Sequence, residues 1–158
     1  MAQYYDEAQQ FINNWNKLGL KLPLVGTEGL DSTTQFFQPM GTKADGLVFA
    51  TPLNRDSAES VVQNYIKSFT ATYGYAPDMV GATAYDAFLV LKQALLKGTS
   101  SDQIKAGIAA TTNFVGVTGT IIKYNGKGEV VKTVDLEIIK GGLPHHYGTV
   151  SDLALITP

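Results

Sequence analysis

Cysteine is absent from this 158-residue chain, which excludes disulfides and thiolate metal sites and leaves the compartment open. A basic block is absent too. Twelve lysines and arginines against fourteen acids give a net charge of −2, and with no cluster able to neutralise phosphates this argues against a nucleic-acid partner. No apolar run approaches the ~20 residues of a membrane span. Met1 and Ala2 lead straight into polar sequence without a charged or apolar leader region, so no signal peptide is expected in this chain. What is present is 44% hydrophobic and 16% charged, a globular rather than a disordered profile. Its length fits one domain that buries roughly 70% of its unfolded surface.

The stretch from Tyr4 to Asp31, YYDEAQQFINNWNKLGLKLPLVGTEGLD, organises the rest. Ala8, Phe11, Ile12, Trp15 and Leu18 recur at helical intervals opposite Gln9, Asn13, Asn14 and Lys17, and Gly19 stands where a C-terminal cap belongs. Pro23 precedes Leu24 and Val25, which read as the buried part of a short strand. Gly26 and Gly29 then bracket Thr27 and Glu28 in a turn. In a parallel sheet Tyr4 and Glu28 fall at the carboxyl ends of neighbouring strands, where open α/β sheets bind ligands. From the residues alone Glu28 is either a solvated loop acid or a ligand partner, and Tyr4 either a half-buried aromatic or a wall of the same crevice.

Further along, Ser32 with Gln35 has capping-box form and opens a short helix carrying Phe36 and Phe37, stopped by Pro39 and Gly41. Leu47, Val48 and Phe49 form a run suited to a strand buried on both faces, ended by Pro52. Asp56 and Glu59 make a second candidate cap before a helix with Val61, Val62, Tyr65, Ile66, Phe69 and Tyr73 inward and Gly74 beyond it. Tyr85, Phe88, Leu89, Leu91, Leu95 and Leu96 predict a further helix, apolar over much of its circumference and therefore central. Ser100 and Gln103 cap a shorter one with Ile104 and Ile108 inward. From Thr120 to Tyr124 and from Val130 to Lys140 the pattern alternates, with Val130, Val134, Leu136 and Ile138 on one side against Lys132, Asp135 and Glu137, and Asn125 to Gly128 is a hairpin signal.

Three constellations point to less. His145 and His146 with Asp152 lack a third metal ligand at motif spacing and read as a solvated C-terminal loop. Asp86 has neither a partner histidine nor a serine elbow and reads as a cap or pairing residue. Gly116 to Thr120 and Gly126 to Gly128 do not lie between a strand and a helix, as a phosphate loop must. No catalytic constellation emerges, so the chain is read as non-enzymatic, without cofactor or metal.

Four segments, YYDEAQQFINNWNKLGLKLPLVGTEGL, ADGLVFATPL, ATYGYAPDMVGATAYDAFLVLKQAL and FVGVTGTIIKYNGKGEVVKTVDLEIIKGG, together resemble the C-terminal half of the type I periplasmic binding proteins. The branch they are most similar to is the leucine/isoleucine/valine-binding family that feeds branched-chain amino acid ABC transporters. The likeness runs from Tyr4 to about Gly142. Its short motifs, such as YDA at Tyr85 to Ala87 and GVTGT at Gly116 to Thr120, are specific only in combination.

That resemblance implies an α/β fold: a partial type I binding-protein architecture, with a Rossmann-like parallel sheet, flanking helices and a C-terminal antiparallel ribbon. It implies three segments, second-lobe βα units over 1–50, helices of the first-lobe return over 51–115, and a crossing segment, ribbon and tail over 116–158. ATPLN after Phe49 and the stretch near Gly116 to Thr120 resemble crossings between lobes. It implies that Glu28 takes a ligand's α-ammonium group and Tyr4 contacts the ligand, with Tyr5 exchanging roles if the register slips by one, and that the segment around Met79 and Val80 adds an apolar contact. The ligand is then an amino acid, the partner an ABC transporter permease, and the parent protein periplasmic or extracellular. A ligand-sensing receptor domain of the same fold is the alternative. With the first lobe missing, exposed apolar helix surface is expected to drive a homodimer or a domain-exchanged dimer.

Overall fold

The computed structural model describes residues 1–158. Helix α1 (Tyr5–Lys17) begins with Asp6 and Glu7 in its first turn and ends with Lys17 in its last, the charge order that a helix dipole favours. Gly19 follows at φ +66°, a conformation only glycine adopts at little cost, and turns the chain away. The helix buries Ala8 and Ile12. Phe11 and Leu18, expected on that face, are 43% and 72% exposed, because the packing stripe is narrower than the run of apolar residues.

Strand β1 (Val25–Gly26) is only two residues long and pairs in parallel with β2 (Val48–Thr51). Val25, expected in the core, points outward, and buried Gly26 faces inward where a Cβ would overlap Leu30. Between the strands the chain makes consecutive helical turns over Glu28–Leu30, Thr33–Phe37, α2 (Gln38–Met40) and Gly41–Ala44. Ser32 accepts from the Gln35 amide at 3.2 Å, as its spacing predicts. Pro39 does not stop the run, since it sits in the first turn of α2 where its missing N–H costs nothing. Leu30, Phe36, Phe37, Met40, Leu47 and Phe49 close one core with Ala8, Ile12 and Ile139.

After Thr51 the chain leaves this sheet for a second body. Helix α3 (Ser60–Tyr73) starts without a side-chain cap, so Asp56 and Glu59 do not cap it, and ends at Gly74 in the left-handed region. Helix α4 (Met79–Leu95) begins earlier than its apolar pattern suggests, because Asp78 accepts from the Gly81 amide at 3.1 Å and caps it. Helix α5 (Ser101–Ala109) carries the complete Ser100/Gln103 capping box. It packs on α4 through Gly107, where a Cβ would lie 2.9 Å from Ala94 Cβ. Strands β3 (Thr112–Gly116), β4 (Gly119–Tyr124) and β5 (Val130–Lys132) form an antiparallel sheet in that order, with the predicted turn at Asn125 to Gly128.

The segment Gly116 to Thr120 is thus a tight β3–β4 turn and not a passage between bodies. The return falls at Thr133, between β5 and β6 (Val134–Lys140). β6 pairs antiparallel with β2, β7 (Leu143–Val150) pairs with β6, and the first sheet has the order β1-β2-β6-β7 with one parallel pair. On β6 the buried positions are Asp135, Glu137 and Ile139, so the two acids face inward where simple alternation puts them outside. His145 and His146 stand on β7 rather than in a loop, and Asp152 caps the short α6 (Leu153–Ile156).

Helix α4 is not central. It buries Ala82, Asp86, Val90 and Ala94, while Tyr85, Phe88, Leu91 and Leu95 lie exposed on its other side. No helix is long and apolar enough to cross a membrane.

Asp86 joins α4 to the β3–β4 turn. It is 3% exposed and accepts from the Val117 amide at 2.9 Å, the Thr118 amide at 2.8 Å and the Thr118 hydroxyl at 2.6 Å. Substituting Asp86→Ala strands three buried donors and is expected to cost about 3 kcal/mol or more in urea unfolding. Asp102→Ala, on an exposed helical turn, should stay within about 0.5 kcal/mol.

Candidate functional site

Met1 to Tyr4 runs extended beside β1, with the Met1 ammonium donating to Val25 O and the Thr27 amide to Met1 O at 3.2 Å. This single pairing does not amount to a strand, yet it delivers Tyr4 to the same end of the sheet as Glu28. Tyr4 then becomes the residue before α1, with extended backbone. Gly29 allows the approach, since a Cβ there would meet Gln3 O at 3.1 Å and the Tyr4 ring at 3.4 Å.

A cleft of about 230 Å³ results, lined by Ala2, Gln3, Tyr4, Thr27, Glu28, Gly29 and Met79. On its other side Glu28 borders a second cleft of about 180 Å³ with Ala50, Thr51, Pro52, Lys132, Thr133 and Val134, at the two passages between the bodies. Tyr4 and Glu28 are therefore brought together. Tyr5 is not: it opens α1, meets the Tyr4 ring edge-on at 6.5 Å and packs against the first core. Val80 is 62% exposed and outside the cleft, which its neighbour Met79 lines instead. Two larger hollows, each about 670 Å³, lie between α3 and α4 and beside α5, and neither contains a carboxylate.

Behind Glu28 stands a group of charges that residue patterns did not reveal. Arg55, the only arginine in the chain, donates from Nη1 to Glu137 Oε2 at 2.7 Å and to Asp31 Oδ2 at 3.2 Å, from Nη2 to Asp31 Oδ1 and to Pro77 O at 3.3 Å, and from its main-chain amide to Glu137 Oε1 at 2.9 Å. Its guanidinium lies over Phe37, 5.3 Å from the ring centroid. The Thr51 hydroxyl also donates to Asp31. Both acids are almost wholly buried. A single arginine in a sequence with so few charges was the available signal.

Burial pushes the Glu137 carboxyl up to about 7; Arg55 opposes this and Asp31 adds to it. Two buried carboxylates share one guanidinium, so a surplus negative charge stays without water. The Lys132 ammonium is pulled down by burial, opposed by Asp86 and Asp135, and donates to the Thr118 hydroxyl at 2.6 Å. His145 Nδ1 lies 3.3 Å from Asp56, and His146 Nδ1 lies 4.0 Å from Asp135. No group of three or more histidines, aspartates or glutamates is arranged to hold a metal.

A model of the family described as periplasmic binding protein matches residues 1–140, and the chain belongs to that family. Its fold is shared by a leucine binding protein from Thermotoga maritima, 24% identical with a TM-score of 0.83, over 96% of this chain and 43% of that one. It is shared also by a branched-chain amino acid transporter substrate binding protein from Streptococcus pneumoniae solved with isoleucine, 24% identical, TM-score 0.81, over 92% and 43%. A solute binding protein from R. palustris solved with benzoate is 25% identical, TM-score 0.76, over 92% and 41%. The chain thus spans less than half the length of these relatives and shows part of the type I periplasmic-binding-protein fold. No match was found among curated proteins.

The raised Glu137 carboxyl sets a pH dependence. Its folded value lies above the ordinary 4.5, so the folded state holds the extra proton, and this stability is complete below about pH 4.5 and lost as pH rises through about 7. Urea unfolding should show up to about 3 kcal/mol lost from this group between those limits. In Glu137→Gln that component of the slope should disappear.

Proposed function

We propose that this chain carries the ammonium-recognising half of a solute-binding protein that captures amino acids between two lobes and delivers them to an ABC transporter permease. The observation that carries the reading is one cleft holding the Glu28 carboxylate, the Tyr4 ring and Met79. An ammonium leaving water for a closing crevice needs an ionised, hydrogen-bonding partner. Glu28 is such a partner, Tyr4 supplies a stiff wall with a hydroxyl at low entropic cost, and Met79 is apolar. A carboxylate in this position disfavours an anion without an amine, such as benzoate, and favours an aliphatic amino acid, with leucine, isoleucine and valine foremost. The family and the isoleucine held by the similar Streptococcus pneumoniae protein support the same class. The parent protein then works outside the cytoplasmic membrane, as a binding protein in the periplasm or at the cell exterior.

This chain holds one side of the clamp. The other side, which would fix the α-carboxylate, corresponds to the length of the relatives that it does not span, so lobe closure requires that length. The exposed α4 face of Tyr85, Phe88, Leu91 and Leu95 is the surface through which the chain alone would self-associate or exchange segments with a second copy.

Calorimetric titration with leucine, isoleucine and valine tests the first part, using this chain and a polypeptide extended to the length of its relatives. The extended protein should bind at least one of them, and Glu28→Gln should weaken binding on the order of tenfold or more. Unchanged affinity in that variant would remove Glu28 from the site. For the second part, light scattering after size exclusion should give a species above monomer mass at micromolar concentration, and Phe88→Lys with Leu91→Lys should shift it to monomer. A monomer at all concentrations would refute self-association.

A further inference from the structure

The cluster behind Glu28 bonds within the turn that carries Glu28, at the end of β2, just before Met79 and on β6. Asp31 closes the turn that carries Glu28, its amide bonding to Glu28 O at 2.9 Å. Thr51 ends β2 and lines the second cleft. Pro77 stands two residues before Met79, which lines the first cleft. Glu137 lies at the centre of β6, one strand from β2. Arg55 bonds directly to Asp31, Pro77 and Glu137, and reaches Thr51 through Asp31.

We propose that Arg55 is the positioning residue of the Glu28 cleft, and that its hold on the Glu28 turn depends on whether Glu137 carries a proton. The inference concerns regulation of the site proposed above and rests on that reading for its biological meaning, but the coupling is readable without any ligand.

Geometry supplies the argument. With Glu137 ionised, Nη1 is divided between Glu137 and Asp31 and the main-chain amide of Arg55 is tied to Glu137 as well. With Glu137 protonated, one of its oxygens ceases to be a charged acceptor, the cluster becomes neutral, and the guanidinium is left to Asp31 and the Pro77 carbonyl. A planar guanidinium held by two carboxylates in a fork cannot strengthen one pair without slackening the other. Asp31 is within the next bond of Glu28, so the slack is felt at the turn. The raised affinity of Glu137 for a proton, caused first by burial and then by Asp31 against Arg55, places this change near neutrality.

Other charges face Glu137 and have to be separated from it. His146 is its register partner on β7 and His145 is the next residue, both held by Asp56. Asp135 lies two residues away on the same strand and accepts from the Thr149 hydroxyl at 2.6 Å. From the β2 side the neighbours are Asp31, Arg55 and the uncharged Thr51.

The test is a pH titration of the full 158-residue chain by amide and carboxyl NMR from pH 5 to pH 9. The Gly29, Leu30, Asp31 and Met79 amides are expected to move with one midpoint near 7, shared with the Glu137 side-chain carboxyl. Glu137→Gln should abolish that midpoint at all four amides, and His146→Gln should leave it in place. In Arg55→Lys, which keeps the charge without the fork, Glu137 should still titrate while the four amides no longer follow. Turn amides that ignore the Glu137 midpoint in the unmodified chain overturn the proposal, as do amides that follow it unchanged in Glu137→Gln or in Arg55→Lys. Should Arg55→Lys not fold, the unmodified chain and Glu137→Gln still decide. Leucine serves as the probe in the extended protein: its affinity should change severalfold across the same midpoint and become flat in Glu137→Gln. Failure of leucine to bind would refute the proposed function and leave the NMR outcome intact, so the two are told apart.

Discussion

One guanidinium shared by two buried carboxylates is the constraint around which this molecule is arranged. Arg55 follows β2 as the chain leaves the first sheet, and its partners come 24 residues earlier and 82 residues later. A buried ion pair contributes little net stability, because desolvation cancels most of the attraction, yet removing one partner is costly. Its physical consequence is geometric. Arg55 and Asp31 together tie the Glu28 turn, the end of β2, the approach to α4 and the centre of β6 to one another.

The two bodies are held differently. The first has a conventional apolar core in which Ile12, Leu30, Phe36, Leu47 and Phe49 are almost wholly buried. Each such side chain contributes about 1.5–3 kcal/mol. The second has a smaller cluster of Leu53, Val62, Tyr65, Ala82 and Val117, and depends on polar pins such as Asp86 at the β3–β4 turn. Its α4 presents Phe88 and Leu91 to solvent, a surface with no counterpart within the chain. The chain spans less than half the length of the relatives that share its fold.

Much of the local structure was legible from residues a few positions apart. The Ser100/Gln103 box, the Asn125 to Gly128 turn and the glycines after α1 and α3 all act through bonds within one turn, so the pattern and the structure coincide. Glu28 and Tyr4 were legible through resemblance, and the structure brings both to one cleft. Errors arose where a pattern needed a distant partner to be interpreted. The apolar stripe of α4 signified a central helix only if something lay against it. Alternation along β6 identified a strand but not its inner face, since Asp135 and Glu137 are inward only because Thr149 and Arg55 receive them. Tyr5 and Val80 were each one residue from the side chain that lines the cleft. A turn into a helix changes the direction of successive side chains by about 100°, where a strand reverses them.

The sequence by itself determined the family, most of the helices, the Ser32 and Ser100 caps, the Asn125 to Gly128 turn, and the presence of one carboxylate and one phenol near a sheet end. These follow from hydrogen bonds and periodicities that close within a few residues. Tertiary structure alone decided which acids are buried, that the chain returns to its first body at Thr133, and that its single arginine stands behind Glu28. A buried charge takes its meaning from the groups that replace its water, and here those groups are brought together from across the chain by packing.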